Sequence, residues 1–137
     1  MQLEEMTMPD TQLTKEYNVS QELLASSMGS GSLPVLATPA VAAFFENAAM
    51  ELAAKFLSEG QTTVGSKITI EHLAPTAPGC KVTVTAKLEA QENRLFRFQL
   101  EAKDNAGVIA TGTHERVSVK SERFLEKANA RKDTVTA

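Results

Sequence analysis

Two hydrophobic periods divide the chain. Between Thr38 and Leu57 nearly every residue is apolar except a narrow stripe, Asn47, Glu51, Lys55 and Ser58, at helical spacing; this predicts one long, mostly buried helix. Thr38 is placed as its N-cap, Pro39 suits the first helical position, Gly60 suits the stop, and Glu51 and Lys55 form an i,i+4 pair. After Gly60 apolar and polar residues alternate instead, in Val64–His72, Lys81–Glu89, Arg94–Lys103 and Val108–Val119, with turns at Ala74–Gly79, Gln91–Asn93 and Asp104–Gly107. Four consecutive strands joined by short turns predict an antiparallel meander. Ahead of the helix, Leu13–Val19 alternates weakly as a first strand, Ser20 caps a short helical turn through Leu24, and Ser26–Ser32, rich in Gly and Ser, reads as a flexible loop. The fold class is therefore α+β, a five-stranded antiparallel sheet wrapped around one long central helix, because neither element can bury its apolar surface alone. Residues 1–11 lack periodicity and read as a loose tail. Lys120–Arg131, with Phe124, Leu125 and Ala128, reads as a short surface helix docking by its apolar side.

Composition narrows the class. The 137 residues suit a single domain spanning 1–137, and 42% hydrophobic content suffices for a core. A net charge of −3, with no basic run interleaved with aromatics, speaks against nucleic acid as a partner. The acidic start Met1–Met6 has no apolar core of a secretory signal, and no apolar run reaches the length of a membrane span. These features make the cytoplasm the expected compartment, without a membrane partner. The single Cys80 cannot form an internal disulfide, and its place at a turn entering a strand favours a structural role.

Against this background three residues carry candidate chemistry. Glu46 breaks the helix pattern, lying about 100° from Asn47 on the line of Ala42, Ala43, Ala49, Met50, Ala53 and Leu57. A carboxylate on such a surface is either a hydrated residue at the edge of the polar stripe or a group with a partner or a reaction beside it. On the following strand Ile68, Ile70 and His72 point one way, which aims the imidazole at the helix layer, as a core-rim histidine or as Glu46's neighbour. Thr38 lies two turns before Glu46. A hydroxyl, a carboxylate and an imidazole converging would supply the parts of an acyl-transfer or hydrolysis site. No local motif has metal-ligand spacing, so no metal is expected.

With these residues in place a resemblance becomes specific. Ala37-Thr38, Glu46, Gly65, Ile70-Glu71-His72, the Pro78-Gly79 turn and Gly112-Thr-His-Glu-Arg116 resemble the fluoroacetyl-CoA thioesterase family, of hotdog fold, over about residues 33–125. The resemblance implies an acyl-CoA thioesterase that hydrolyses a small or medium acyl thioester, with Thr38, Glu46 and His72 as the catalytic trio. Gly65 would lend its backbone N–H to the thioester carbonyl, and Arg116 would lie near the site or the coenzyme. It further implies a homodimer, coenzyme A entering only as part of the substrate, and no other cofactor. Fluoroacetyl-specific members carry a phenylalanine gate shortly before the threonine; here that stretch is Gly31-Ser-Leu-Pro-Val35, with Leu33 as the candidate substrate-side residue and no aromatic ring. Two alternatives stand beside hydrolysis: a hotdog acyl-thioester hydratase or dehydratase, and a non-catalytic acyl-CoA-binding domain. From the residues alone, Arg116 is equally a sheet-surface ion-pair residue, and His114 shares its strand face.

Overall fold

The computed structural model describes residues 10–132 and 134, so most of the expected N-terminal tail lies outside the described residues. Strand β1 (Gln12–Asn18) leads through a 3-10 turn (Gln21–Leu23) and a single helical turn, α1 (Ala25–Met28), to the long helix α2 (Thr38–Ala54). Strands β2 (Gln61–His72), β3 (Lys81–Glu92), β4 (Leu95–Asp104) and β5 (Gly107–Lys120) follow, and helix α3 (Ser121–Lys132) closes the chain. The five strands form one antiparallel sheet in the order β1-β3-β4-β5-β2, whose inner face wraps α2.

That order corrects the expected meander. Only β3, β4 and β5 follow one another as hairpin neighbours, whereas β2 pairs with β5 and its other edge has no strand beside it among the described residues. The cause lies in residues 73–80, which contain Pro75 and Pro78 and are too long for a tight hairpin. This segment instead carries the chain from one side of the sheet to the other, where β3 joins β1.

The core is built as the alternation implies. Phe96, Phe98 and Leu100 of β4 and Val82, Val84 and Ala86 of β3 are buried against Val41, Phe45, Ala48, Ala49 and Leu52 of α2. The polar stripe of α2 marks where β1 crosses it. The Lys15 ammonium donates to Asn47 at 2.8 Å and pairs with Glu51, so Glu51 finds its cation on the sheet rather than in Lys55. Tyr17 stacks on Phe44 at 4.4 Å and donates its hydroxyl to Asn47 at 2.6 Å; burial and the Glu51 charge push its phenol up to about 12.

Five local expectations need correction. Helix α2 ends at Ala54 and not at Leu57; Gly60 serves the turn into β2 with φ 86°. Its N-cap is Ala37, and the Thr38 hydroxyl makes no capping bond. Ser20 precedes the 3-10 turn but does not cap it through its side chain. The Gly/Ser segment is not a free loop: α1 and Gly29 in the left-handed region shape it, and backbone N–H groups of Ala25 and Ser26 donate to Val35 and Leu33. Finally, α3 buries no residue, leaving Leu125 62% exposed, so its apolar side is not docked on the described residues.

Candidate functional site

Helix α2 presents two faces. One is covered by its own sheet; the other, Pro39, Ala43, Glu46, Met50 and Ala54, is exposed along the whole rod. Glu46 therefore points from a small, mostly apolar surface that this chain leaves open. Its carboxylate lies over Gly65 of β2: a methyl group added at Gly65 would stand 2.9 Å from the Glu46 oxygen, 3.1 Å from the His114 ring and 3.5 Å from the Arg116 guanidinium. Glycine is what lets the carboxylate approach the strand backbone so closely.

Behind Gly65 stands a buried polar pair. Gly65 is opposite Arg116 in the β2–β5 register, and His114 lies two residues away on the same strand face. Arg116 donates from Nε to the Thr63 hydroxyl at 2.7 Å, from one terminal nitrogen to the Thr63 carbonyl at 2.8 Å, and from the other to His114 Nε2 at 3.1 Å. Since guanidinium can only donate, His114 accepts at Nε2 and carries its proton on Nδ1, which donates to the Lys67 carbonyl at 2.8 Å. Burial holds His114 below the usual imidazole range, with Arg116 acting in the same direction, so the ring is neutral near pH 7. Burial also lowers Arg116, while the Glu46 charge opposes that shift. Arg116 is thus an inward-facing cation aimed toward Glu46, not a surface ion-pair residue; Thr63, its main partner, carried no signal beyond its place two residues before Gly65.

Thr38 and His72 form a second pair at the other end of β2. The Thr38 hydroxyl is 2.8 Å from His72 Nδ1. His72 Nε2 is shut from solvent and has no hydrogen-bond partner among the described residues. Burial lowers the His72 imidazole, opposed by the Ala74 backbone. A groove of about 300 Å³ opens beside the pair, lined by Val35, Leu36, Ala37, Pro39, Leu73 and Pro75 among others. Leu33 is exposed at 65% outside that lining. The structure thus brings Thr38 to His72 and Glu46 to Gly65, but places the two groups apart within one chain, since Thr38 and Glu46 are separated by roughly 12 Å of helix rise.

The family profile described as FlK, fluoroacetyl-CoA-specific thioesterase, matches residues 19–122. The fluoroacetyl-CoA thioesterase of Streptantibioticus cattleyicolor is 37% identical over 93 residues, covering 68% of this chain and 67% of that protein. A solved structure of fluoroacetyl-CoA thioesterase FlK superimposes with a TM-score of 0.82 at 28% identity, covering 93% of this chain and 98% of that one. A hot-dog-like protein from Thermanaerovibrio acidaminovorans gives 0.81 at 28% identity over 99% and 100% of the two chains. A thioesterase superfamily member from Thermus thermophilus gives 0.81 at 27% identity, covering 93% and 96%. The chain belongs to the FlK family and is a thioester hydrolase of hotdog fold.

Proposed function

We propose that the protein is a cytoplasmic homodimer that hydrolyses small or medium acyl-CoA thioesters, with Thr38, Glu46 and His72 as the catalytic trio. The observation that carries this reading is the Glu46 carboxylate held over Gly65, with the buried Arg116 cation behind it. A thioester carbonyl set against the Gly65 backbone would find an N–H for its developing oxyanion and a carboxylate within reach to attack or to activate water. Thr38 and His72 supply a hydroxyl and a neutral imidazole whose free Nε2 lines a covered position, suited to proton transfer at the leaving thiolate.

Symmetry explains why one chain holds these parts in two places. The free edge of β2 is 12 residues long, and the α2 face bearing Glu46 is uncovered; both favour pairing with a second copy. If two β2 edges pair antiparallel about a two-fold axis near Ile68 and Thr69, Gly65 of one protomer comes beside His72 of its partner. Each site would then take Glu46, Gly65, His114 and Arg116 from one protomer and Thr38 with His72 from the other.

The acyl group follows from the groove. Ala43 flanks Glu46 without bulk, and Gly31–Val35 offers no aromatic ring to close over a two-carbon acyl group. Acetyl to medium-chain thioesters are therefore the proposed substrates, without selectivity for fluoroacetyl. Thiol release measured across acetyl-, butyryl-, isobutyryl-, octanoyl- and benzoyl-CoA tests this. Turnover of at least one, lost by a factor on the order of 10² or more in Glu46→Gln, supports the reading; near-full turnover in that variant removes Glu46 from the mechanism. Sedimentation at micromolar concentration should give a dimer, and a monomer would contradict the shared site.

A further inference from the structure

Residues 73–80 carry the chain across the sheet, and the same segment holds both members of the Thr38–His72 pair. It continues directly from His72, and the N–H groups of Leu73 and Ala74 donate to the Ile109 carbonyl at 2.7 and 3.2 Å, which fixes the end of β2 that bears the imidazole. Two residues before Thr38, the Leu36 N–H donates to the Thr76 carbonyl at 2.9 Å. Leu36 is buried and bridged to Leu24, so this bond sets where the chain enters α2. Thr76 anchors the segment. It is 1% exposed, whereas its neighbours Pro75 and Ala77 are exposed. A buried hydroxyl needs a partner, and Thr76 donates to one carboxylate oxygen of Asp104, at the end of β4, at 2.9 Å. The other oxygen accepts the Ala106 N–H at 2.8 Å, so Asp104 is itself held by its hairpin turn. Neither Thr76 nor Asp104 lines the groove beside Thr38 and His72.

We propose that Thr76 and Asp104 are positioning residues for the reaction. The Asp104 carboxylate pins Thr76, whose carbonyl, through Leu36, keeps the Thr38 hydroxyl at 2.8 Å from His72 Nδ1. This rests on the reading that Thr38 and His72 act together in hydrolysis, and extends that site to a carboxylate that touches neither the substrate nor a reacting atom. The pair needs such an anchor because its two members stand on different elements, 34 residues apart in the chain. A displacement of about 1 Å where the chain enters α2 would break a hydroxyl–imidazole bond of 2.8 Å, and misplacement of that size costs rate far out of proportion to stability.

Three variants test it, compared at a temperature where circular dichroism shows each to be folded. Thr76→Val keeps the shape and removes the hydroxyl, Thr76→Ser restores it, and Asp104→Ala removes the acceptor from the partly exposed side. Thr76→Val and Asp104→Ala should each lower kcat for thiol release by about tenfold or more, with KM within about twofold. Thr76→Ser should return kcat to near the wild-type value. Made on a Thr38→Ala chain, Thr76→Val should lower kcat no further, because the hydroxyl it positions is gone; a residue that only stabilises the fold would act alike in both backgrounds. The chain holds two histidines, so NMR of the ring signals reports the geometry without turnover. Thr76→Val should move the His72 signal, as Thr38→Ala does, and leave that of His114 in place. The proposal is overturned if Thr76→Val keeps full kcat, if its loss and that of Thr38→Ala multiply, or if the His72 signal stays where it is. A wild type that releases no thiol would refute the hydrolase reading, and the His72 signal would still decide whether Thr76 sets the pair.

Discussion

Gly65 and Gly112 face the same helix from neighbouring strands, yet their hydrogens stand against different things. A methyl group at Gly65 would meet the movable end of Glu46 and the His114 ring, whereas one at Gly112 would run into the Thr69 carbonyl and meet the Phe45 ring at 3.1 Å. Gly65→Ala should therefore fold normally but lose turnover by about tenfold or more, because the carboxylate is pushed from the strand. Gly112→Ala should do the reverse, lowering stability by about 1–3 kcal/mol through overpacking against backbone while the folded fraction keeps its activity. Thermal midpoints and kcat of the two variants check the contrast. The two histidines add a pH dependence. Burial lowers both below the ordinary imidazole value, so the unfolded chain binds protons before the folded one does. Stability should hold above that value and fall as pH drops through the window below it. Urea midpoints at pH 7.5 and 5.5 measure this: the acid value should be lower, and the difference should shrink in His114→Asn, while equal midpoints would contradict a neutral buried ring.

Thr38 shows how an element can hide a function. At the start of α2 it has the residue type of a cap, and the sequence reads it as both cap and catalyst; in the structure Ala37 occupies the cap and the hydroxyl goes to His72. Thr38→Ala should thus cost far less than the ~1 kcal/mol of a lost cap but lower turnover strongly, and Thr38→Ser should retain most activity. Thermal midpoints alongside thiol release decide it, and a large stability loss with preserved turnover would return Thr38 to a capping role. The strands and helix were legible because their periods are local: Phe96, Phe98 and Leu100 do share the buried face, and Ile68, Ile70 and His72 do share a partly buried one. Pairing was not legible in the same way. Which edge β2 joins depends on the path of residues 73–80, and alternation in β2 reads the same beside β3 or β5. The environment of Glu46 was half legible. Its break in the helix pattern showed, and Gly65, His114 and Arg116 stood out through their motifs, but that they gather around that carboxylate needed the β2–β5 register.

For the molecule as a whole, the features that lack a partner within the described chain cluster around one purpose. The β2 edge, the exposed Glu46 face of α2 and the unpartnered Nε2 of His72 all belong to the same side of the sheet and helix. A second copy paired along β2 would cover the first two and bring Glu46 toward the third. Subunit complementation tests this directly. Glu46→Gln and His72→Ala chains, each nearly inactive as a homodimer, are co-expressed with two different tags, and the mixed dimer is purified through both. A shared site predicts one doubly damaged site and one intact site per mixed dimer, hence about half of the wild-type turnover. Activity no higher than that of the two parent variants would show that each chain supplies its own trio, and would contradict the account.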